Sequence, residues 1–386
     1  YGFYKYKDYG VGVKPQVIGG RMFALQLFSK TLHAVDVYTG RVLWTAKVEP
    51  FTRYACMDDG IYVAGKDQCV VYDPATGDVL RTLKYQVDAE TPPFVSDIRV
   101  GDDVVVVAVA FDKSRSIAKG LWDSEALVAL DRQSGEQLWT READERFNNH
   151  ALALGAGSVF CVDSAPGGDA TQLARRGDLP ETLPSTVLAL DARTGDERWR
   201  EVRDYPFKTY GAGNWLGLRA NDDWVALAGE VGVLLAGKAR ELRAFDAASG
   251  DEMWHETIGG GQPMVIQGET FLTQAFHTYD LRTGQLSVEG PPFARGGCNY
   301  AVAGTDLIFV RDRCVSYIDK DTGDKFYLRN VRSGCSNSLV AADGLLNVPC
   351  FSVQCVCNYP IQTSFAMLHM PEVAEWDASG PRLAAQ

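Results

Sequence analysis

Cysteine, arginine and amide side chains near the C-terminal end carry the chemistry most visible in this sequence. Cys335, Cys350, Cys355 and Cys357 crowd a short stretch, and Cys298 lies one repeat upstream. Paired as disulfides they would pin a long loop, stabilising it by about 2–4 kcal/mol. As thiolates they could instead hold zinc or copper(I), although Cys-x-Cys is not the usual Cys-x-x-Cys knuckle; a reactive thiol is the third reading. The nine cysteines form an odd set, so at least one stays unpaired if the others are bridged. The phrases Arg295-Gly-Gly-Cys298-Asn299 and Arg332-Ser-Gly-Cys335-Ser-Asn337 echo each other. Their arginines could clamp a carboxylate or sulfate through the guanidinium fork, or cap backbone carbonyls at strand ends. His150 with Tyr210 could serve acid–base chemistry, and these two are the candidate catalytic residues. His33, His277 and His369 sit in strand-like patterns and are expected to be structural, while His255 follows a tryptophan and should be solvated. Cys69, Cys161 and Cys314 read as buried packing residues. The sequence has no nucleophile elbow, no Walker loop and no His-Glu-x-x-His helix.

What must position these groups is a repeat. The phrase Val35-Asp36-Val37-Tyr38-Thr39-Gly40, ending at Trp44, recurs around Asp73–Gly77, Asp131–Trp139, Asp191–Trp199, Asp246–Trp254, Asp280–Gly284 and Asp319–Gly323. An Asp carboxylate can accept backbone N–H groups two and three residues on, and Gly supplies the positive φ of a tight reversal. Alternating apolar residues on both sides mark antiparallel strands. A tryptophan four residues after the glycine (Trp44, Trp139, Trp199, Trp254) gives each hairpin a flat anchor for the neighbouring sheet. Upstream of each hairpin lies a second strand pair, so each unit holds four strands. A hairpin pair cannot bury its apolar faces alone; a closed ring of such units can.

The expected fold is therefore all-β: a single eight-bladed β-propeller of four-stranded antiparallel blades, with seven blades plus a C-terminal hairpin as the alternative. Approximate blades are 14–48, 51–86, 93–143, 148–203, 213–258, 261–289, 296–331 and 334–376, followed by a tail at 377–386. The ring could be closed by Tyr1–Lys7 or by the segment reaching Trp376, which takes the anchor position in the last blade. If the Asp–Gly turns share one face, the inter-blade loops and the interruptions of blades three, four and eight share the other. That second face gathers Arg53, Trp122, Asn149, Lys208, Tyr210, Asn214, Trp215, Arg295, Asn299, Arg332, Asn337, Asn358 and Tyr359. Loops on a rigid scaffold are where binding usually resides, so these form the expected binding face.

Composition narrows the partners. A formal net charge of −12 argues against a nucleic-acid backbone, which needs a basic stripe. No run of 18 apolar residues is present, so no membrane-spanning helix is expected. The abundance of cysteine suggests an exported, periplasmic or extracellular protein, and a chain starting at Tyr1 reads either as one from which a targeting segment has been removed or as a piece of something longer.

The Leu-Asp-x-x-Thr-Gly-x-x-x-Trp phrase resembles the PQQ-like, quinoprotein-type propeller repeat over about residues 14–330. The stretch from Arg332 through Cys357 resembles the ending of bacterial PQQ-like repeat proteins of unassigned function. The family includes both quinoprotein dehydrogenases and a non-enzymatic subunit of the outer-membrane assembly machinery. In the dehydrogenases the resemblance implies a disulfide between adjacent cysteines and a tryptophan floor around PQQ, with Ca²⁺ nearby. This chain has no adjacent cysteine pair, so PQQ is not expected and no cofactor is predicted beyond a metal at the C-terminal cysteines. The expected function is a non-catalytic binding or scaffold propeller with a protein or glycan partner. The alternative is an enzyme with an axial pocket, either a polysaccharide-active lyase or hydrolase or a metal- or quinone-linked oxidoreductase.

Overall fold

The computed structural model describes residues 15–26, 30–50, 52–88, 93–111, 123–165, 182–206, 223–238, 241–258, 265–290, 301–329, 339–348 and 365–368. Every element among them is a β-strand, and consecutive strands pair antiparallel. The first sheet sets the pattern, with strands Gln16–Ile18, Arg21–Gln26, Thr31–Asp36 and Val42–Lys47 in that order from inside to outside. Four further four-stranded sheets cover residues 53–84, 223–257, 265–288 and 302–328. A three-stranded sheet is built from Val340–Ala342, Leu345–Val348 and Phe365–Leu368. Tyr1–Lys7 and Trp376, the alternative ways of completing this sheet, lie outside the described residues.

Residues 94–206 depart from the expected pattern. They form one seven-stranded sheet, because a single 19-residue strand, Gln137–Gly155, runs from one repeat into the next. Asn148, Asn149 and His150, expected in an inter-blade loop, are inside this strand. The cause is Asp163, whose carboxylate accepts the N–H groups of Asp144, Glu145 and Arg146 at 2.6, 2.9 and 2.9 Å. The register with Asp123–Asp131 skips from Glu142 to Phe147, so these donors have no ladder partner there and the carboxylate satisfies them instead. The register with Ser158–Ser164 shifts between Phe147 and Leu152, and the strand bends there. The two halves of the sheet then pack face to face, with Val106 and Leu127 against Val159 and Leu188.

The repeat phrase does what its residues dictate. In every copy the Asp Oδ1 accepts two backbone N–H groups, as from Tyr38 and Thr39 to Asp36 at 3.0 and 2.8 Å. The turn glycines hold φ near +70 to +80°, Gly195 at +75° and Gly250 at +80° among them. Each tryptophan reaches into the next repeat: the indole N–H of Trp139 donates to the carbonyl of Ala192 at 3.0 Å, and that of Trp199 to Ala247 at 3.1 Å. The ring lies on the glycine of that next turn. A Cβ on Gly195 would stand 2.8 Å from Trp139, and one on Gly250 would stand 2.6 Å from Trp199. The glycine thus serves twice, as a left-handed turn residue and as the seat for its neighbour's anchor.

The apolar core is divided among the interfaces between successive sheets, as where Phe23 and Leu32 meet Tyr54 and Ile61. The first and last sheets also meet. Their inner strands are in contact, the amide of Gly20 donates to Asp343 Oδ2 at 2.7 Å, and the Tyr38 hydroxyl donates to the carbonyl of Asp343 at 3.1 Å. The sheets therefore close into a ring, a β-propeller of four-stranded antiparallel blades. Backbone bonds such as Arg132 N–H to Asp103 O and Ala192 N–H to Gly157 O tie six of the seven Asp–Gly turns to the first turn of their own blade, Pro74 having no N–H to donate. All these turns occupy one face, and the inter-blade connections occupy the other.

Candidate functional site at the inter-blade face

Strands that are apolar along most of their length end in polar residues at the inter-blade face. Lys238 closes Val233–Lys238 and Asp223 opens Asp223–Ala228; the two are directly paired across the sheet. Ser164 and Ser185 form the corresponding pair in the preceding blade. All four are buried, Lys238 to 1% exposure. The Lys238 ammonium donates to Asp223 Oδ2 and to Ser185 Oγ, both at 2.9 Å. Asp223 also accepts from Ser164 at 2.5 Å and from Ser185 at 2.7 Å. A buried ion pair survives desolvation only when its remaining hydrogen-bonding capacity is used, and here it is. The Tyr205 ring lies 6.0 Å from the ammonium, and burial pushes its phenol up to about 12. The arrangement bolts one blade to the next.

A second relay, with no carboxylate in it, crosses three repeats. Arg53 opens the inner strand Arg53–Met57, is 4% exposed, and donates through Nε to the carbonyl of Ser96 at 3.0 Å and through NH1 to that of Thr52 at 3.1 Å. The hydroxyls of Ser96 and Ser124 lie 2.7 Å apart, and Ser124 donates to the side-chain oxygen of Asn149. Arg99 adds a bond from Nε to the carbonyl of Leu152 at 3.1 Å. Two expected binding residues, Arg53 and Asn149, thus come together through this relay, both buried and both in strands.

The other binding-face candidates, namely Trp122, Lys208, Tyr210, Asn214, Trp215, Arg295, Asn299, Arg332, Asn337, Asn358 and Tyr359, lie outside the described residues. So do Cys298, Cys335, Cys350, Cys355 and Cys357, and His150 is placed by its backbone alone. Sequence reading passed over Ser96, Ser124, Ser164, Ser185, Asp223 and Lys238. The available signal was a polar residue ending an otherwise apolar run, as in Val233-Leu234-Leu235-Ala236-Gly237-Lys238.

The described cysteines are free thiols in strands. Burial raises the thiol of Cys69 to about 12 and raises Cys56, Cys161 and Cys314 as well, so all four stay protonated near neutrality. None adjoins another in the chain, and they do not fit the adjacent-cysteine clamp that the quinoprotein resemblance would require. Among the described residues no three His, Cys, Asp or Glu side chains gather as a metal site. His277 accepts the Gly290 N–H on Nδ1 at 3.0 Å, a structural role, while His255 pairs with Glu241 at 3.0 Å on the surface.

Blade architecture, turn chemistry and interlocking tryptophans define a propeller of PQQ-like repeats. The chain belongs to the family described as outer membrane protein assembly factor BamB, whose model matches residues 29–287 and, overlapping, 185–348. A curated relative, the quinohemoprotein alcohol dehydrogenase of Comamonas testosteroni, is 26% identical over 191 residues, which is 50% of this chain and 20% of the relative. The chain thus matches about a fifth of that protein's length. Among solved structures, BamB from Moraxella catarrhalis superposes with a TM-score of 0.54 at 15% identity, covering 88% of this chain and 93% of that one. The computationally designed Ika8 protein gives a TM-score of 0.59 at 13% identity, with 92% and 95% coverage. At these identities the likeness is one of fold.

Proposed function

We propose that this chain is a non-catalytic binding or scaffold propeller that works outside the cytoplasm and presents its inter-blade face to a protein or glycan partner. The observation that carries the reading is the internal use of the buried polar groups at that face. Asp223, Lys238, Ser164 and Ser185 satisfy one another, and Arg53, Ser96, Ser124 and Asn149 link three repeats. Such fastening makes a rigid platform for the loops above it, as a scaffold requires. Family membership supports the same reading, since the matching model describes an assembly factor. We count the seven-stranded sheet as two blades sharing one strand and the three-stranded sheet as the last, giving eight. The face-to-face packing of the seven-stranded sheet's halves supports that count.

Photoreactive side chains introduced singly at Glu49 or Lys84, toward the inter-blade face, and at Thr39 or Gln133, in the Asp–Gly turns, test the assignment in cells. Adducts with one defined partner from the first pair alone are expected; adducts from the turn face alone would overturn it. The 191-residue match to a quinohemoprotein dehydrogenase favours a second reading, a metal- or quinone-linked oxidoreductase. Elemental analysis with thiol counting on the unreduced protein separates the two. Stoichiometric zinc, copper or iron with free thiols at Cys335, Cys350, Cys355 and Cys357 would bring the second reading forward. Oxidised cysteines without metal keep the scaffold ahead.

A further inference from the structure

A groove of about 730 Å³ opens at the rim between the blade of residues 53–84 and the one that follows it. One wall is the Lys66–Asp67 turn and the Gln86–Asp88 connection; the other is the start of the strand Gln137–Gly155, which contributes Gln137, Thr140 and Glu142. Lys66–Asp67 joins the second and third strands of its blade, so the groove belongs to the inter-blade face.

Its walls are fixed. The amide of Gln137 pairs with the backbone of Gln86 in both directions, at 2.8 and 3.0 Å, much as a neighbouring strand would. The Tyr85 hydroxyl donates to the Gly65 carbonyl, and the Tyr85 amide donates to Asp67 O at 3.0 Å. Among the described residues that line this groove are three carboxylates, Asp67, Asp88 and Glu142, against one ammonium, Lys66. An anionic ligand is disfavoured by that balance and a cationic one favoured.

The second observation concerns the backbone. Among the described residues, the strand from Gln137 to Glu142 pairs only with Asp123–Asp131. Its pairing with Ser158–Ser164 begins at Phe147, so among the described residues no strand pairs with the other edge of this stretch. An open edge accepts an extended chain through main-chain hydrogen bonds. An added strand projects every second side chain to one side of the sheet, and here that side is the groove.

Resting on the reading of the inter-blade face as a binding surface, we propose that this groove and edge receive an extended polypeptide segment of the partner with basic residues at alternate positions. Backbone pairing supplies affinity, and Asp67, Asp88 and Glu142 select for lysine or arginine.

The probe is an end-blocked hexapeptide alternating Lys and Thr, titrated against the full chain by calorimetry, with a Glu–Thr peptide of equal length as control. The Lys–Thr peptide should bind and the control should not. Binding should weaken at least tenfold in the double variant Asp67→Lys, Glu142→Lys, whose exposed positions spare the fold; near-ultraviolet circular dichroism checks this. In the unaltered protein, hydrogen exchange should slow at amides between residues 137 and 142 when the peptide is present, a readout independent of any variant. No binding of the Lys–Thr peptide, equal binding of both peptides, unchanged affinity in the double variant, or retention of neutral chitotriose in place of peptide would each overturn the assignment. A partner crosslinked from Glu49 or Lys84 while the peptide experiments fail would overturn the groove alone and leave the face intact.

Discussion

The glycine of each Asp–Gly turn meets two demands, and they can be separated. Gly40 and Gly323 hold φ of +71° and +73° with nothing within 4 Å of an added Cβ. Gly195 and Gly250 hold similar angles but also seat Trp139 and Trp199. Alanine at the first two should cost about 1–2 kcal/mol, the left-handed penalty alone. Alanine at the second two should cost about 1–3 kcal/mol more, because the indole must shift. Urea midpoints of the four single variants check this, and equal losses would remove the seating role. The buried ion pair offers a second test at the same scale. Lys238→Ala leaves the Asp223 carboxylate buried without its cation and should cost about 3–5 kcal/mol. Adding Asp223→Leu to Lys238→Met should recover at least half of that loss. If the double variant is no better than Lys238→Ala, the cost lies elsewhere.

At the scale of strands, Asp163 decides whether two blades are joined by a loop or by a continuous strand. Its carboxylate accepts three successive N–H groups, from Asp144 to Arg146. Asp163→Ala should destabilise by about 1.5–3 kcal/mol and speed hydrogen exchange at those three amides well before it affects Val105 or Val128. Uniform acceleration across the sheet would contradict this local role. The same element marks how far sequence reading reaches. Turns, strand pairs and anchors were legible because each Asp–Gly–Trp phrase is a local device whose chemistry lies within ten residues. The shared strand was not, since the partner of Asp144–Arg146 lies 17 to 19 residues away and nothing in Asn148-Asn149-His150 signals extension. The polar bolts were hidden for the same reason. A serine at a strand end becomes informative only when its neighbour in the next blade is known. Arg53 and Asn149 stand out in the sequence by their departure from the repeat, but as loop-like binding groups, whereas both are buried in strands. Their burial is a property of the ring.

For the whole ring, acid is the condition to which the fold should respond most sharply. The turn carboxylates are held below the ordinary aspartate range: Asp131 falls to about 2, first through the Ser134 N–H and then Arg193, and Asp191 to about 2, first through Arg198 and then the Thr194 N–H. Asp36, Asp73, Asp246, Asp280 and Asp319 shift the same way. A carboxyl depressed in the folded state stabilises above its unfolded value, about 3.9, and loses that contribution as pH falls toward its folded value. Stability should therefore decline steeply from about pH 4 to pH 2, with proton uptake on unfolding, and be nearly flat from pH 5 to 7 as far as these groups are concerned. Urea midpoints across that range test it, and a flat profile below pH 4 would be incompatible with the turn geometry. The unbroken strand from Gln137 to Gly155 has a further consequence, for chain topology. If the natural termini were linked and new ones opened elsewhere, a cut at residue 49 or 88 would sever a connection that lies between the described strands rather than in one. A cut beside Phe147 would sever a strand paired there with both Ser124 and Asp163, so circular permutants opened there should fail where those opened at residue 49 or 88 still assemble. Blades three and four would then be inherited, duplicated or lost together, as one indivisible piece of an otherwise modular ring.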